Sequence, residues 1–134
     1  MADLEVRAEE GVLWLTLNRP HVFNALSASM ADELASLVED ATARDDVRVV
    51  VLTGTGPAFS TGADISGADA HEHFDVSALD RANRIIRAIT RLDKPVVAAV
   101  NGVAAGWAAR PRWPPTSWWR PSRRASCWRS PGSA

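Results

Sequence analysis

The chain has 134 residues, a formal net charge of −1 at pH 7 and one cysteine, Cys127. This length corresponds to a single domain that can bury a sizeable core. A single cysteine excludes an intrachain disulfide, so the composition does not point to an oxidising compartment. The N-terminal residues lack the pattern of a signal peptide, and no apolar run approaches the roughly 18 residues that a membrane span needs. We therefore expect a soluble, cytoplasmic protein.

The composition changes sharply at Trp107. Residues 107–134 hold five of the six Trp, five of the eight Pro and six Arg, but no Asp or Glu. Residues 1–106 hold all 16 acidic residues and nine of the 15 Lys and Arg, which gives them a charge of −7 against +6 for the rest. We therefore predict a structured part over 1–106 and an irregular Arg/Trp/Pro-rich tail over 107–134.

Strand and helix patterns alternate before the tail. The β-prone runs are 12–17, 47–52 and 96–100, and the runs with helical spacing are 29–44 and 78–92. Ser27 or Ser29 can cap the first helix, and Ser77 can cap the second. Trp14, on an apolar strand, is predicted to belong to the core. Such alternation predicts an α/β fold with a crossover-connected parallel sheet.

Three motifs lie along this framework. They are Leu17–Pro20 with Asn24–Ser27, then Phe59–Ile65, then Lys94–Gly102. In the second motif, Gly62 and Ala63 occupy a strand-to-helix turn, where a backbone N–H can come close to a ligand. The structural alternative is an ordinary turn in which Asp64 caps a helix. Asn18 and Asn24 are predicted to form turns.

In this order and spacing, the motifs resemble the enoyl-CoA hydratase/isomerase (crotonase) superfamily. The resemblance implies a ββα spiral with a largely parallel sheet, truncated here, and chemistry through an acyl-CoA enolate. Two backbone N–H groups would stabilise the charge on the thioester oxygen, and the resemblance puts them at Ala63 and Trp107. The stretch that would border the thioester and the adenine is Ala63, Asp64, Ile65 and Ser66. Coenzyme A thioester would be the substrate, with no metal and no further cofactor.

The chain departs from the family's pattern after Gly106. The pattern expects a small-residue run and a helix with a catalytic Glu at the position of Arg110, but Pro111 and later prolines disfavour a helix. Without this carboxylate we expect the chain to be inactive. The family implies homotrimers or hexamers, built through C-terminal helices that we expect this chain to lack. We expect it to bind neither nucleic acid nor membrane.

We infer that the tail comes from a shifted reading frame. Moving the frame back one nucleotide turns Trp107-Ala108-Ala109 into Val, Leu or Met, then Gly, then Cys, Ser, Arg or Gly. It also permits Leu-Ala-Ala-Asp-Leu-Val-Val-Ala over 113–120, which is how the resembled family continues. One alternative is a binding module whose basic, Trp-rich tail contacts nucleic acid or a membrane surface. Another is a defective product that associates through exposed strand edges.

Overall fold

The computed structural model describes residues 2–64 and 76–106, and the backbone of 126–128. Short 3₁₀ turns cover Pro20–Val22 and Ala41–Ala43. The helices are α1 (Ala28–Asp40) and α2 (Val76–Arg91). The strands are β1 (Leu4–Glu9), β2 (Val12–Leu17), β3 (Val49–Gly54), β4 (Ala58–Ser60), β5 (Val96–Ala99), β6 (Val103–Ala104) and β7 (Ser126–Trp128). Neither helix in these ranges is long and apolar enough to cross a membrane.

The larger sheet has the order β1-β2-β3-β5-β7. Its central strands β2, β3 and β5 run parallel, with Val12 opposite Val49 and Val50 opposite Val96. The chain crosses from β2 to β3 through α1, and from β4 back to β5 through α2. This arrangement confirms the predicted α/β class. The edge strand β1, antiparallel to β2, was not predicted.

The core lies between one face of this sheet and the two helices. Leu13, Leu15 and Leu17 alternate along β2 onto that face and are at most 1% exposed. Trp14 therefore points to the opposite face and is 37% exposed. Its prediction as a core residue was wrong, because an apolar strand does not itself show which of its two faces the helices will cover.

The first helix starts where its cap predicted. The Ser27 hydroxyl accepts a hydrogen bond from the Met30 N–H at 3.3 Å, so Ser27, not Ser29, is the cap. The helix ends at Asp40, earlier than predicted, because the chain tightens into the 3₁₀ turn that follows. Lys94 stabilises this end through bonds from its Nζ to the Ala41 and Arg44 carbonyl oxygens, at 2.6 and 2.7 Å.

The second helix and the tail both differ from the predictions. The helix begins at Val76, so Ser77 lies inside it and does not act as its cap. Leu79, near the start of this helix, is 59% exposed. Within the tail, predicted to be irregular, β7 pairs antiparallel with β5. The rest of the tail lies outside the described residues.

Ion pairs join the outer sides of the two helices. The Arg84 guanidinium donates to both carboxylate oxygens of Glu39, at 3.0 and 2.7 Å. Arg81 Nε donates to an Asp32 oxygen at 3.2 Å. The hydrogen bond from Arg84 lowers the pKa of Glu39, because it favours the ionised carboxyl. These acidic residues of α1 therefore link helix to helix.

Candidate functional site

The candidate site is built at the end of a small parallel sheet. Strands β4 and β6 pair with Ser60 opposite Ala104, and the Ala105 N–H donates to the Ser60 carbonyl oxygen at 3.0 Å. Parallel strands end at the same edge. Ala63 and Trp107 each lie three residues beyond this pair, so β4 and β6 lead toward the same region. Trp107 lies outside the described residues.

The side chain of Ser60 holds the turn after β4 in place. This side chain is buried, and its hydroxyl donates to the Asn24 carbonyl oxygen at 2.8 Å while accepting from the Gly62 N–H at 3.1 Å. Gly62 has a φ of +95°, which glycine adopts without the steric cost of a side chain. The peptide that leads into Ala63 is thus held at a defined orientation.

Two hydrogen bonds flank Ala63. The Leu26 N–H donates to the Gly62 carbonyl oxygen at 2.8 Å, and the Asp64 N–H donates to the Leu26 carbonyl oxygen at 3.0 Å. In such a parallel bridge the residue between the two bonds directs its own N–H to the other side. Ala63 is exposed, and its N–H has no acceptor within the part of the chain that the structure describes. This N–H can therefore donate to a ligand.

Asp64 has a structural partner that sequence reasoning missed. Arg19 Nη1 donates to Asp64 Oδ2 and to the Ala25 carbonyl oxygen, both at 2.8 Å. The two charged side chains are 15% and 17% exposed, so the pair is largely shielded from water. The Asn-Arg-Pro motif drew attention to this part of the sequence. The number of residues between Arg19 and Asp64, however, does not show that the two side chains are in contact. The pair ties the first motif to the second.

The third motif meets the first at a single carbonyl, that of Ala58, which directly precedes the second motif. The Ala58 oxygen accepts a hydrogen bond from Asn24 Nδ2 at 2.8 Å and another from Asn101 Nδ2 at 2.9 Å. A Cβ on Gly102 would lie 1.9 Å from the Pro57 oxygen, so only glycine fits beside this contact. The prediction that Asn24 forms a turn agrees with its φ of +56°. Both asparagines also organise β4.

The end of the third motif approaches the Ala63 turn. Gly106 has a φ of +62°, and a Cβ there would lie 3.1 Å from the Thr61 carbonyl oxygen. The backbone that leads into Trp107 therefore runs close to the turn that presents the Ala63 N–H.

A cleft of about 110 Å³ opens between Ala63 and the first turns of the two helices. Leu26, Ala31, Ala82 and Asp64 are among the residues that line it. Pockets for drug-sized ligands typically measure roughly 300–1,000 Å³, so this cleft is too small to enclose a whole coenzyme A thioester. Within the described ranges, no three His, Cys, Asp or Glu side chains form a group that could hold a metal ion. Ile65 and Ser66 of the predicted site lie outside those ranges.

Comparison with known proteins shows the family to which the chain belongs. The sequence pattern of the family described as "Enoyl-CoA hydratase/isomerase" matches residues 7–108. The chain belongs to the enoyl-CoA hydratase/isomerase family. The protein described as "Probable enoyl-CoA hydratase" from Rhodobacter capsulatus is 41% identical over 101 residues, which are 75% of this chain and 38% of the relative. The 1,2-epoxyphenylacetyl-CoA isomerase of Escherichia coli is 36% identical over 106 residues, covering 75% and 40%.

Solved structures of this family show the same fold. An enoyl-CoA hydratase from Mycobacterium avium subsp. paratuberculosis superposes with a TM-score of 0.69 at 38% identity, over 81% of this chain and 42% of the other. An enoyl-CoA hydratase from Bacillus anthracis gives a TM-score of 0.68 at 29% identity, over 80% and 43%. The chain thus spans about two fifths of the relatives it matches.

Proposed function

We propose that residues 1–106 carry the first half of an acyl-CoA site, in which the Ala63 N–H donates to the thioester oxygen and stabilises an enolate. The observation that carries the proposal is the N–H of the exposed residue Ala63, which lies between two hydrogen bonds and has no acceptor among the described residues. A fixed donor of this kind needs little reorganisation when charge develops. The backbone of Ala63, Asp64, Ile65 and Ser66 would border the thioester and the adenine.

The second half of the proposed site departs from the family's pattern in this chain. We propose Trp107 as the position of the second donor, but Arg110 stands where a catalytic Glu would lie, and Pro111 opposes the helix that should carry it. An oxyanion donor that is not held in position typically costs about 3 kcal/mol of transition-state stabilisation, or roughly a hundredfold in rate. Missing acid/base groups remove roughly 10²- to 10⁴-fold more. On this proposal the chain as it stands does not turn over enoyl-CoA.

The tail supports a frameshift as the origin of this defect. The family match ends at residue 108, next to the change in composition at Trp107. A one-nucleotide shift there permits small residues and the run Leu-Ala-Ala-Asp-Leu-Val-Val-Ala. The proposed parent is a longer, oligomeric acyl-CoA hydratase or isomerase.

The test compares the chain with its frame-restored version, by crotonyl-CoA hydration and by size-exclusion chromatography. We expect no hydration by the present chain and a longer, oligomeric, acyl-CoA-binding protein after restoration. In the restored protein, Ala63→Pro removes the N–H and should lower affinity for an enolate analogue roughly a hundredfold, whereas Ala63→Ser keeps the N–H and should not. Equal binding by a folded Ala63→Pro variant would overturn the donor assignment. An early stop in the restored frame would overturn the frameshift.

A further inference from the structure

We infer that Asn24 and Asn101 act together as positioning residues that set the separation of the two donor turns. They come from the first and third motifs, yet both donate a side-chain hydrogen bond to one acceptor, the Ala58 carbonyl oxygen. The inference rests on the proposed function only where it treats the turns after β4 and β6 as donor turns. The shared hydrogen bonds at Ala58 are here called the asparagine clamp.

The Asn24 half of the clamp reaches the Ala63 turn. Asn24 is fully buried, its Nδ2 also donates to the Thr55 carbonyl oxygen at 2.9 Å, and its Oδ1 accepts from the Arg19 N–H at 2.8 Å. Its own carbonyl oxygen accepts the Ser60 hydroxyl, which in turn accepts the Gly62 N–H. A continuous set of hydrogen bonds thus runs from the clamp to the residue before Ala63.

The Asn101 half of the clamp places the start of β6. Its Nδ2 also donates to the Gly56 carbonyl oxygen at 3.0 Å, and its Oδ1 accepts from the Gly54 N–H at 3.1 Å. The chain then passes through Gly102 into β6, which pairs with β4 and ends at the turn around Gly106. Asn101 therefore fixes β6, and the backbone beyond it, against the same strand that carries the other turn.

Because of its position, the clamp can affect the catalytic rate of a complete family member. Ala58 is the first residue of β4. Two side-chain amides from different parts of the chain bind its carbonyl oxygen, so the positions of both turns depend on these two hydrogen bonds. A displacement of about 1 Å at reacting groups can cost roughly a hundredfold in rate. Loss of one amide should therefore shift the donors relative to each other before it unfolds the domain.

The experiment uses the full chain labelled with ¹⁵N and the variant Asn101→Asp. This change keeps an acceptor for the Gly54 N–H and removes both donated bonds at neutral pH. We expect the Asp64 and Ala105 amides to exchange with solvent at least about fivefold faster, the factor for one net hydrogen bond, since two bonds are removed. The Ala63 amide resonance should also shift, while amides in the middle of β2 and β3 keep their exchange rates.

Asn18→Ala is the matched control. Its side chain lies in the same turn region and donates to the Ala2 carbonyl oxygen and to Glu5. It also accepts from the Thr55 hydroxyl at 3.0 Å, but it makes no hydrogen bond to β4. It should leave the Ala63 resonance unchanged. Unchanged Ala63, Asp64 and Ala105 amides in Asn101→Asp would overturn the inference. Equally faster exchange throughout β2 and β3 would also overturn it, because that pattern indicates a general loss of stability.

A measurement on the unmodified chain tests the clamp without any variant. Both side-chain amides lie within 3 Å of the same oxygen, so their NH₂ protons should show a nuclear Overhauser contact. Its absence would overturn the inference even if Asn101→Asp does not fold. Titration with acetyl-CoA separates the two proposals: no effect on Ala63 with an intact clamp contradicts the proposed function alone.

Discussion

Replacing Asn24 by Ala should be among the most destabilising single changes in the part of the chain that the structure describes. The side chain is fully buried and makes three hydrogen bonds, with the Arg19 N–H and with the Thr55 and Ala58 carbonyl oxygens. Ala58 keeps its second donor, so two groups lose their side-chain partner, at about 1–3 kcal/mol each. The φ of +56° costs alanine about 1 kcal/mol more. We expect a loss of about 3–7 kcal/mol.

This loss is large against the roughly 5–15 kcal/mol that stabilises a typical domain. Urea unfolding followed by far-ultraviolet circular dichroism measures it. Asn24→Gly removes the same bonds but tolerates the backbone angle, so it should unfold at a higher urea concentration than Asn24→Ala. Asn18→Ala should cost less than Asn24→Ala, since two of its three side-chain hydrogen bonds are exposed and the third, from the Thr55 hydroxyl, is only part-buried. A loss below about 1 kcal/mol for Asn24→Ala would refute this reasoning.

Three further predictions concern the framework around the site. Gly102→Ala should destabilise the fold by about 1–3 kcal/mol in urea unfolding, because its Cβ would meet the Pro57 oxygen at 1.9 Å; a neutral effect would contradict the close approach. Ser27→Ala should cost about 1 kcal/mol and Ser27→Gly a few tenths, and equal losses would argue against the cap. Glu39 has a pKa lowered by Arg84, so its stabilisation is present above the ordinary carboxyl pKa and disappears as pH falls through the lowered value. The stability difference between wild type and Glu39→Gln should shrink on acidification, and a constant difference would contradict the pairing.

The secondary structure was largely predictable because its signals are local. The run Val12–Leu17 is β-prone, and the apolar residues of α1 recur at helical spacing, so the parallel framework followed from sequence. Strand β1 was missed because Leu4–Glu9 is mostly exposed and carries three charged residues, which is how an edge strand differs from a buried one. The face on which Trp14 lies depends on helix packing, which the strand does not encode by itself.

The site was predictable only in part, for the same reason. The Gly-Ala-Asp turn is a short contiguous motif, so the Ala63 candidate could be proposed from the sequence. The bond from Arg19 to Asp64 and the clamp on Ala58 join residues far apart in the chain, and no periodic pattern reports them. The motifs therefore appear in sequence as three separate signals, and the fold shows why they occur together.

The proposal that Ala63 donates to a thioester oxygen is tested most directly by ¹⁵N NMR titration of this chain with acetyl-CoA, using coenzyme A as the control. NMR detects weak binding, which suits a site whose second donor and surrounding contacts are incomplete. The account predicts that acetyl-CoA moves the Ala63 amide resonance toward the position of a stronger hydrogen bond, and that coenzyme A alone, without a thioester carbonyl, does not. An Ala63 resonance that stays fixed at saturating acetyl-CoA, or moves equally with coenzyme A, would contradict it.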